Sequence, residues 1–362
     1  MKKLCLLFTA AFAVLPLMAL RCGDKAAELP NLKYLNGQRR STALPGRKGT
    51  LRILTFLHVH SGGTSGTVRT LLTLEKLYGS KVELTAITPD PESDAALLKG
   101  VFRQSRTAFA VDSNRRITMQ YMAGSLLYPR SFVIDADSKI IWCGETVDLG
   151  EMLQAYFAGN FDQEGSVKIC PMLDELQTLL RESSERKMKQ LSEKIFAIDP
   201  AHPAALRMRL FSLENSRRIP QAWHLLRERL KDAPGNARLY FTAVDFISRY
   251  PYFQRFLKML LADFERHVKD REAGIMMAAE LLKRFKYELT ALEYAHRLAG
   301  SSAPFQKELL PVWYAVRARI AYLAGDTDKA VSWQKKASAG RKGADLMLEY
   351  FTGVSELKKR LP

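Results

Sequence analysis

The strongest constraint on the fold is a change of texture near residue 160. Before it, short apolar runs of strand character alternate with stretches of helical spacing; after it, the spacing is helical without interruption. Strands are expected at 51–56, 81–87, 108–111, 131–134 and 139–142, with a short edge strand at 32–37. Helices are expected at 67–78, 92–102, 117–122 and 149–157. Strands alternating with helices and ending in a hairpin predict a mixed α/β sheet. At 362 residues the chain is also longer than one core usually grows before it splits. The expected layout is a leader at 1–21, an entry segment at 22–50, an α/β domain at 51–158, a polar linker at 159–171 and a helical domain at 172–362.

The helical half carries a weak repeat. Pro200 and Pro234 lie 34 residues apart, with Ala222 and Leu226 between them at small and large packing positions. Gly325-Asp326 marks a bend before Ala330 and Ala337. The spacing predicts a single helix at 172–197, then helix pairs at 203–233, 237–267, 272–300 and 311–338. These pairs resemble tetratricopeptide units, which stack into an all-α solenoid with a concave peptide-binding face. The other reading is a generic helical domain that shares the spacing. Trp223, Tyr240, Phe241, Trp313, Tyr314 and Trp333 read as packing between helices.

Composition enters where it limits partners. The formal charge of +17 is spread along the chain, which favours an acidic protein or peptide partner or an anionic membrane surface. No groove-reading motif or aromatic-basic interleaving supports nucleic acid. Lys2-Lys3 followed by an apolar run to Leu20 reads as a secretory signal peptide or an uncleaved anchor, so the expected location is the cell envelope or periplasm. Cys22 invites a lipoprotein reading, but Arg21 stands where lipidation wants a small residue. Of the four cysteines, Cys5 falls in the leader. Two readings stand for Cys143 and Cys170: a disulfide in an oxidising compartment, or two small buried residues.

The first half carries a more specific likeness. A strand ends at Phe56 and a turn follows it; the next helix closes on Leu74-Glu75-Lys76-Leu77-Tyr78. Phe109-Ala110-Val111-Asp112 and Tyr128-Pro129-Arg130-Ser131-Phe132-Val133-Ile134-Asp135 follow in order. Over about residues 30–158 this resembles the thioredoxin-like fold, in particular redoxin-type proteins of the bacterial envelope. The resemblance implies a cis peptide bond before Pro129 and an active-site corner beside it. In that family a cysteine pair two residues apart opens the helix. Here the corner reads His60, Ser61, Gly62, Gly63, Thr64.

Disulfide exchange runs on a thiolate, and a hydroxyl has no accessible anion near neutral pH. The expectation is a redox-inactive corner that binds peptide through His60 to Thr64, Tyr128 and Pro129, in a protein that acts by interaction. No cofactor or metal is expected. Other uses of the corner are an anion held by the glycine-rich turn, a metal touched by His58 and His60, or acyl transfer by Ser61, for which no orienting third residue is evident. The rival function is an envelope thiol-disulfide oxidoreductase or peroxidase acting through Cys22, Cys143 or Cys170.

Overall fold

A computed structural model describes residues 20–29, 32–37, 48–122, 128–285, 288–300, 304, 309–339, 345, 347, 348, 351 and 352. Residues 1–19 of the leader expected at 1–21 therefore lie outside the described residues. None of the described helices is long and apolar enough to cross a membrane. The chain forms two compact units, residues 1–209 and 210–362.

The first unit is built on a six-stranded sheet. Its strands are β1 (Lys33–Tyr34), β2 (Leu51–Phe56), β3 (Val82–Thr88), β4 (Ala108–Val111), β5 (Arg130–Ile134) and β6 (Ile140–Glu145). They stand in the order β1-β4-β3-β2-β5-β6. β2, β3 and β4 run parallel, while β5, β6 and the short β1 are antiparallel to their neighbours. Every residue of β2 is buried, because both faces of the sheet are covered; a two-sided strand reads as a continuous apolar run rather than an alternating one.

One face is covered by α1 (Thr64–Tyr78), α2 (Glu92–Phe102) and α4 (Leu149–Phe157). Val68, Leu71 and Leu74 of α1 meet Phe102, Leu149 and Leu153 there. The opposite face is covered by α3 (Arg116–Met122), by residues 22–29 and by α5 (Gln163–Arg181). Its core joins Phe56, Tyr121 and Phe132 to Leu29, Ile140 and the three cysteines Cys22, Cys143 and Cys170.

Glu75 anchors α1 to the turn before β4. It accepts from Ser105 Oγ (2.5 Å), the Arg106 and Thr107 amides (2.9 and 2.8 Å) and Thr107 Oγ1 (2.7 Å). Burial alone would raise the pKa of this carboxyl; the hydrogen bonds outweigh burial and lower it.

Four expectations need correction. α1 begins at Thr64 and not at residue 67, so Ser65 and Gly66 lie inside the helix. The stretch 159–171 is not a linker: Asp162 caps α5 by accepting the Gly165 amide at 2.9 Å, and Pro171 sits inside that helix. The single helix at 172–197 is two, α5 and α6 (Glu185–Ile198), because Ser183 takes a left-handed φ of 55° between them. The entry segment also has structure. Gly23 donates to Ile140 O (2.7 Å), Ile140 donates to Asp24 O (2.9 Å) and Ala26 donates to Ser138 O (2.7 Å), which lays residues 22–26 along the start of β6. Gly23 stands at φ +95°, in the region that side chains disfavour.

The second unit is helical. α7 (Pro203–Asn215) spans the division between the units, and α8 (Ile219–Asp232), α9 (Ala237–Arg249) and α10 (Leu257–His267) follow. Then come α11 (Arg271–Arg284), α12 (Leu289–Ala299), α13 (Leu310–Leu323) and α14 (Thr327–Ser338). Pro251 opens a 3₁₀ turn, Pro251–Phe256, between α9 and α10. The aromatics pack between helices: Trp223 lies against Phe246, Phe253 and Phe256 at 5.5–5.9 Å between ring centres, and Trp313 meets Trp333 at 5.5 Å.

Candidate functional site

The corner is assembled where β2 gives way to α1. Leu57 continues the β2–β3 pairing by donating to Ile87 O (3.0 Å), and the chain then folds back on itself. The Ser61 amide donates to His58 O (3.1 Å) and the Thr64 amide to Ser61 O (3.0 Å). The Thr64 hydroxyl is spent inward, donating to His58 O at 2.5 Å, and Thr64 is buried. Thr67 Oγ1 donates to Gly63 O at 3.0 Å. The Thr64 amide bond satisfies one of the N–H groups that a helix start leaves open, and both threonine hydroxyls are committed to backbone carbonyls.

Residues far apart in sequence complete the corner. The Tyr128–Pro129 bond is cis, as the resemblance implies. A Cβ added at Gly63 would stand 3.1 Å from Pro129 Cδ, closer than nearly all real contacts, so the glycine sets how near the proline loop can approach. The Tyr128 ring lies 4.2 Å from the His58 ring, centre to centre. Gly63, Tyr128 and Pro129 therefore stand together. The His60 side chain is 67% exposed and pairs with Asp94 (3.5 Å), while His58 is held by Asp90; among the described residues neither histidine belongs to a cluster of three or more metal-ligating side chains.

Asp90 was missed in the sequence, where Pro89-Asp90-Pro91 reads only as a breaker. Its carboxylate accepts the Val59 amide (2.6 Å), His58 Nδ1 (2.7 Å) and Thr88 Oγ1 (2.9 Å). Burial alone would raise the pKa of this carboxyl; the three hydrogen bonds outweigh burial and hold it below the usual carboxylate range. The signal available was an acidic residue just past the end of a parallel strand, where loops carry function.

A carboxyl with a lowered folded pKa adds stability above its unfolded pKa of about 3.9, and that stability is lost as pH falls through the folded value. Asp90→Asn is therefore expected to cost about 1–3 kcal/mol at neutral pH and to flatten the acid limb of stability below about pH 4. Thermal unfolding of both proteins across pH 2–7 checks this; parallel curves would contradict the clamp.

The cysteines lie on the other face of the sheet from α1. Cys143 of β6 and Cys170 of α5 form a disulfide, with 6.7 Å between their α-carbons. Cys22 is unbonded, but its sulfur lies 3.4 Å from that of Cys143. All three are buried. Burial pushes the Cys22 thiol up to about 12, against the pull of Arg130 and a hydrogen bond from Ser166, so it is protonated at neutral pH. Arg130, which follows the cis-proline, is also buried; it donates to Cys143 Sγ at 3.3 Å and pairs with Asp174 at 2.9 Å. Among the described residues this trio is the one cluster of three or more metal-ligating side chains.

In the helical unit, a cleft of about 300 Å³ is lined by Trp223, Arg227, Lys231, Tyr240 and His267 among others.

No family model matches the chain, and no curated protein does. Among solved structures it is similar to an uncharacterized thioredoxin-like protein from Porphyromonas gingivalis. That match has 20% identity and a TM-score of 0.29, covering 40% of this chain and 95% of that one. It is also similar to a putative thiol:disulfide interchange protein DsbE from Chlorobium tepidum, at 18% identity and a TM-score of 0.28, covering 37% and 96%. A putative thioredoxin from Neisseria meningitidis matches at 17% identity and a TM-score of 0.27, over 31% and 75%. The shares covered amount to about a third of this chain; among the described residues, those from α5 onward are mostly helical.

Proposed function

We propose that this chain is an exported binding protein of the cell envelope, in which a thioredoxin-like unit presents a corner without redox chemistry to an extended peptide. The observation that carries this is the corner itself. Gly63 still admits Pro129, Tyr128 still packs on His58, and Asp90 still braces the turn, while the catalytic slots hold hydroxyls. Shape is kept where the thiolate chemistry is missing.

The second unit, read as tetratricopeptide-like helix pairs, adds another peptide surface. Its cleft with Trp223, Arg227 and Lys231 suits an acidic segment, in keeping with the net charge of +17. Anionic lipid is the competing acidic partner, and binding to charged vesicles separates it from peptide.

Two measurements test the reading. The purified protein should not reduce insulin with dithiothreitol; turnover that survives replacement of Cys143 and Cys170 would overturn it. Extended acidic peptides, followed by fluorescence anisotropy, should bind at least about tenfold more weakly to Tyr128→Ala and Gly63→Val, a loss of about 1.4 kcal/mol. Unchanged affinity in both variants would remove the corner from the function. The thiol oxidoreductase alternative would have to run on a buried trio whose free thiol is protonated at neutral pH.

A further inference from the structure

The three sulfurs of Cys22, Cys143 and Cys170 come from three separate elements and meet in one dry place. Their Sγ atoms all lie within 4.8 Å of one another, and none of the three residues is more than 7% exposed. Leu54, Phe56, Phe132 and Ile140 belong to the same buried cluster. A lone buried cysteine needs no explanation beyond packing, but three sharing one point do.

We infer that, once its disulfide is opened, this trio is a binding site for a soft monovalent metal ion, Cu(I). Three thiolates around one metal stand roughly 4 Å apart, √3 times a metal–sulfur bond of about 2.3 Å. The pair Cys22–Cys143 is at 3.4 Å and the whole set is inside 4.8 Å, so those two sulfurs need only a small separation, while Cys143 and Cys170 must open by about 2 Å from bonded contact once their disulfide is broken. Thiolates select soft ions, and the choice among them follows from ligand count. Structural zinc takes four ligands; among the described residues no fourth His, Cys, Asp or Glu joins this group. A three-sulfur set suits Cu(I).

Charge bears on that assignment, because Arg130 brings one positive charge toward the sulfurs and shares it with Asp174. Three thiolates and one Cu(I) carry a net charge of −2, which a buried site must offset. Arg130 is 6% exposed and already directs Nη2 at Cys143 Sγ from 3.3 Å, while Asp174 holds the guanidinium in place at 2.9 Å. The loading reaction balances simply. A dithiol reductant gives two electrons and two protons to the Cys143–Cys170 disulfide and leaves as its own disulfide. Cu(I) then displaces the protons of the three thiols to solvent, since a coordinating thiol is deprotonated outright.

The test uses the full chain with Cys5→Ser, which leaves these three as its only cysteines. After reduction with dithiothreitol and anaerobic desalting, Cu(I) is added in competition with bicinchoninate. One Cu(I) per chain is expected, and none in the oxidised protein. Loss of an outer-shell partner typically costs 10–100-fold in metal affinity, so Arg130→Met should fall in that range and Cys22→Ser, which removes a ligand, beyond about 100-fold. Cys22→Ser keeps the disulfide pair, so its fold is checked in the oxidised state by circular dichroism. No Cu(I) uptake, uptake indifferent to Cys22→Ser, or one Zn(II) bound in preference to Cu(I) would each overturn the assignment.

Discussion

Replacing Phe132 by alanine is expected to cost about 3–5 kcal/mol, a large share of the 5–15 kcal/mol that holds a typical domain folded. The side chain is fully buried on β5, paired in register with Leu54 on one side and Cys143 on the other. Its ring meets Tyr121 at 5.1 Å and Phe56 at 5.7 Å, both edge-on, and Arg130 lies over it at 5.5 Å. Truncation removes the transfer energy of the ring and opens a cavity that three strands of a sheet cannot collapse to fill. Phe132→Leu keeps most of the volume and should cost less than half as much. Because the chain has two units, the readout is local: amide exchange in β2, β5 and β6 should accelerate by roughly two to four orders of magnitude in Phe132→Ala. An effect below about 1 kcal/mol would mean that this face of the sheet is not the core described here.

The second large effect concerns the Cys143–Cys170 disulfide, which closes a loop of 27 residues and ties α5 to β6. On the loop-closure scale that is worth roughly 3.5 kcal/mol, or on the order of 10 °C in melting temperature for a unit of this size. The neighbouring thiol complicates the experiment in a useful way. In Cys170→Ser, Cys22 and Cys143 remain with sulfurs 3.4 Å apart and are expected to pair in air. The single variant should therefore lose less stability than Cys22→Ser/Cys170→Ser, with a gap that closes under reducing conditions. Peptide mapping of the oxidised single variant should find Cys22 linked to Cys143. Equal losses with no new linkage would show that Cys22 does not reach its neighbour in solution.

How much of this was legible in advance follows from the kind of signal each feature leaves. β2 to β6 and the helices between them were readable because burial on both faces makes the strands mostly apolar runs. The helix pairs of the second unit were readable because helical spacing repeats within a dozen residues. The N-terminal segment was not: Gly23, Asp24 and Ala26 carry no strand pattern, and they are ordered only by pairing with Ser138 and Ile140, more than a hundred residues away. The extent of α5 was misjudged because its start depends on one side chain, Asp162, closing on Gly165. The brace at Asp90 was missed because a carboxylate between two prolines looks like any turn until His58 and Val59 are brought to it.

The sequence by itself determined that the corner at Ser61-Gly62-Gly63-Thr64 has no sulfur, and therefore which chemistry cannot run there; residue identity alone decides that. It also determined which runs are strands and which are helices, since periodicity is a local property of the chain. Only the tertiary structure decided that Gly63 meets Pro129, that Asp90 braces His58, and that Cys22, Cys143 and Cys170 share one point. Periodicity assigns a side chain to a face of its element but not to a neighbour. Neighbours are set by which strands pair and which segments cover the sheet, at separations where the sequence carries no spacing to read.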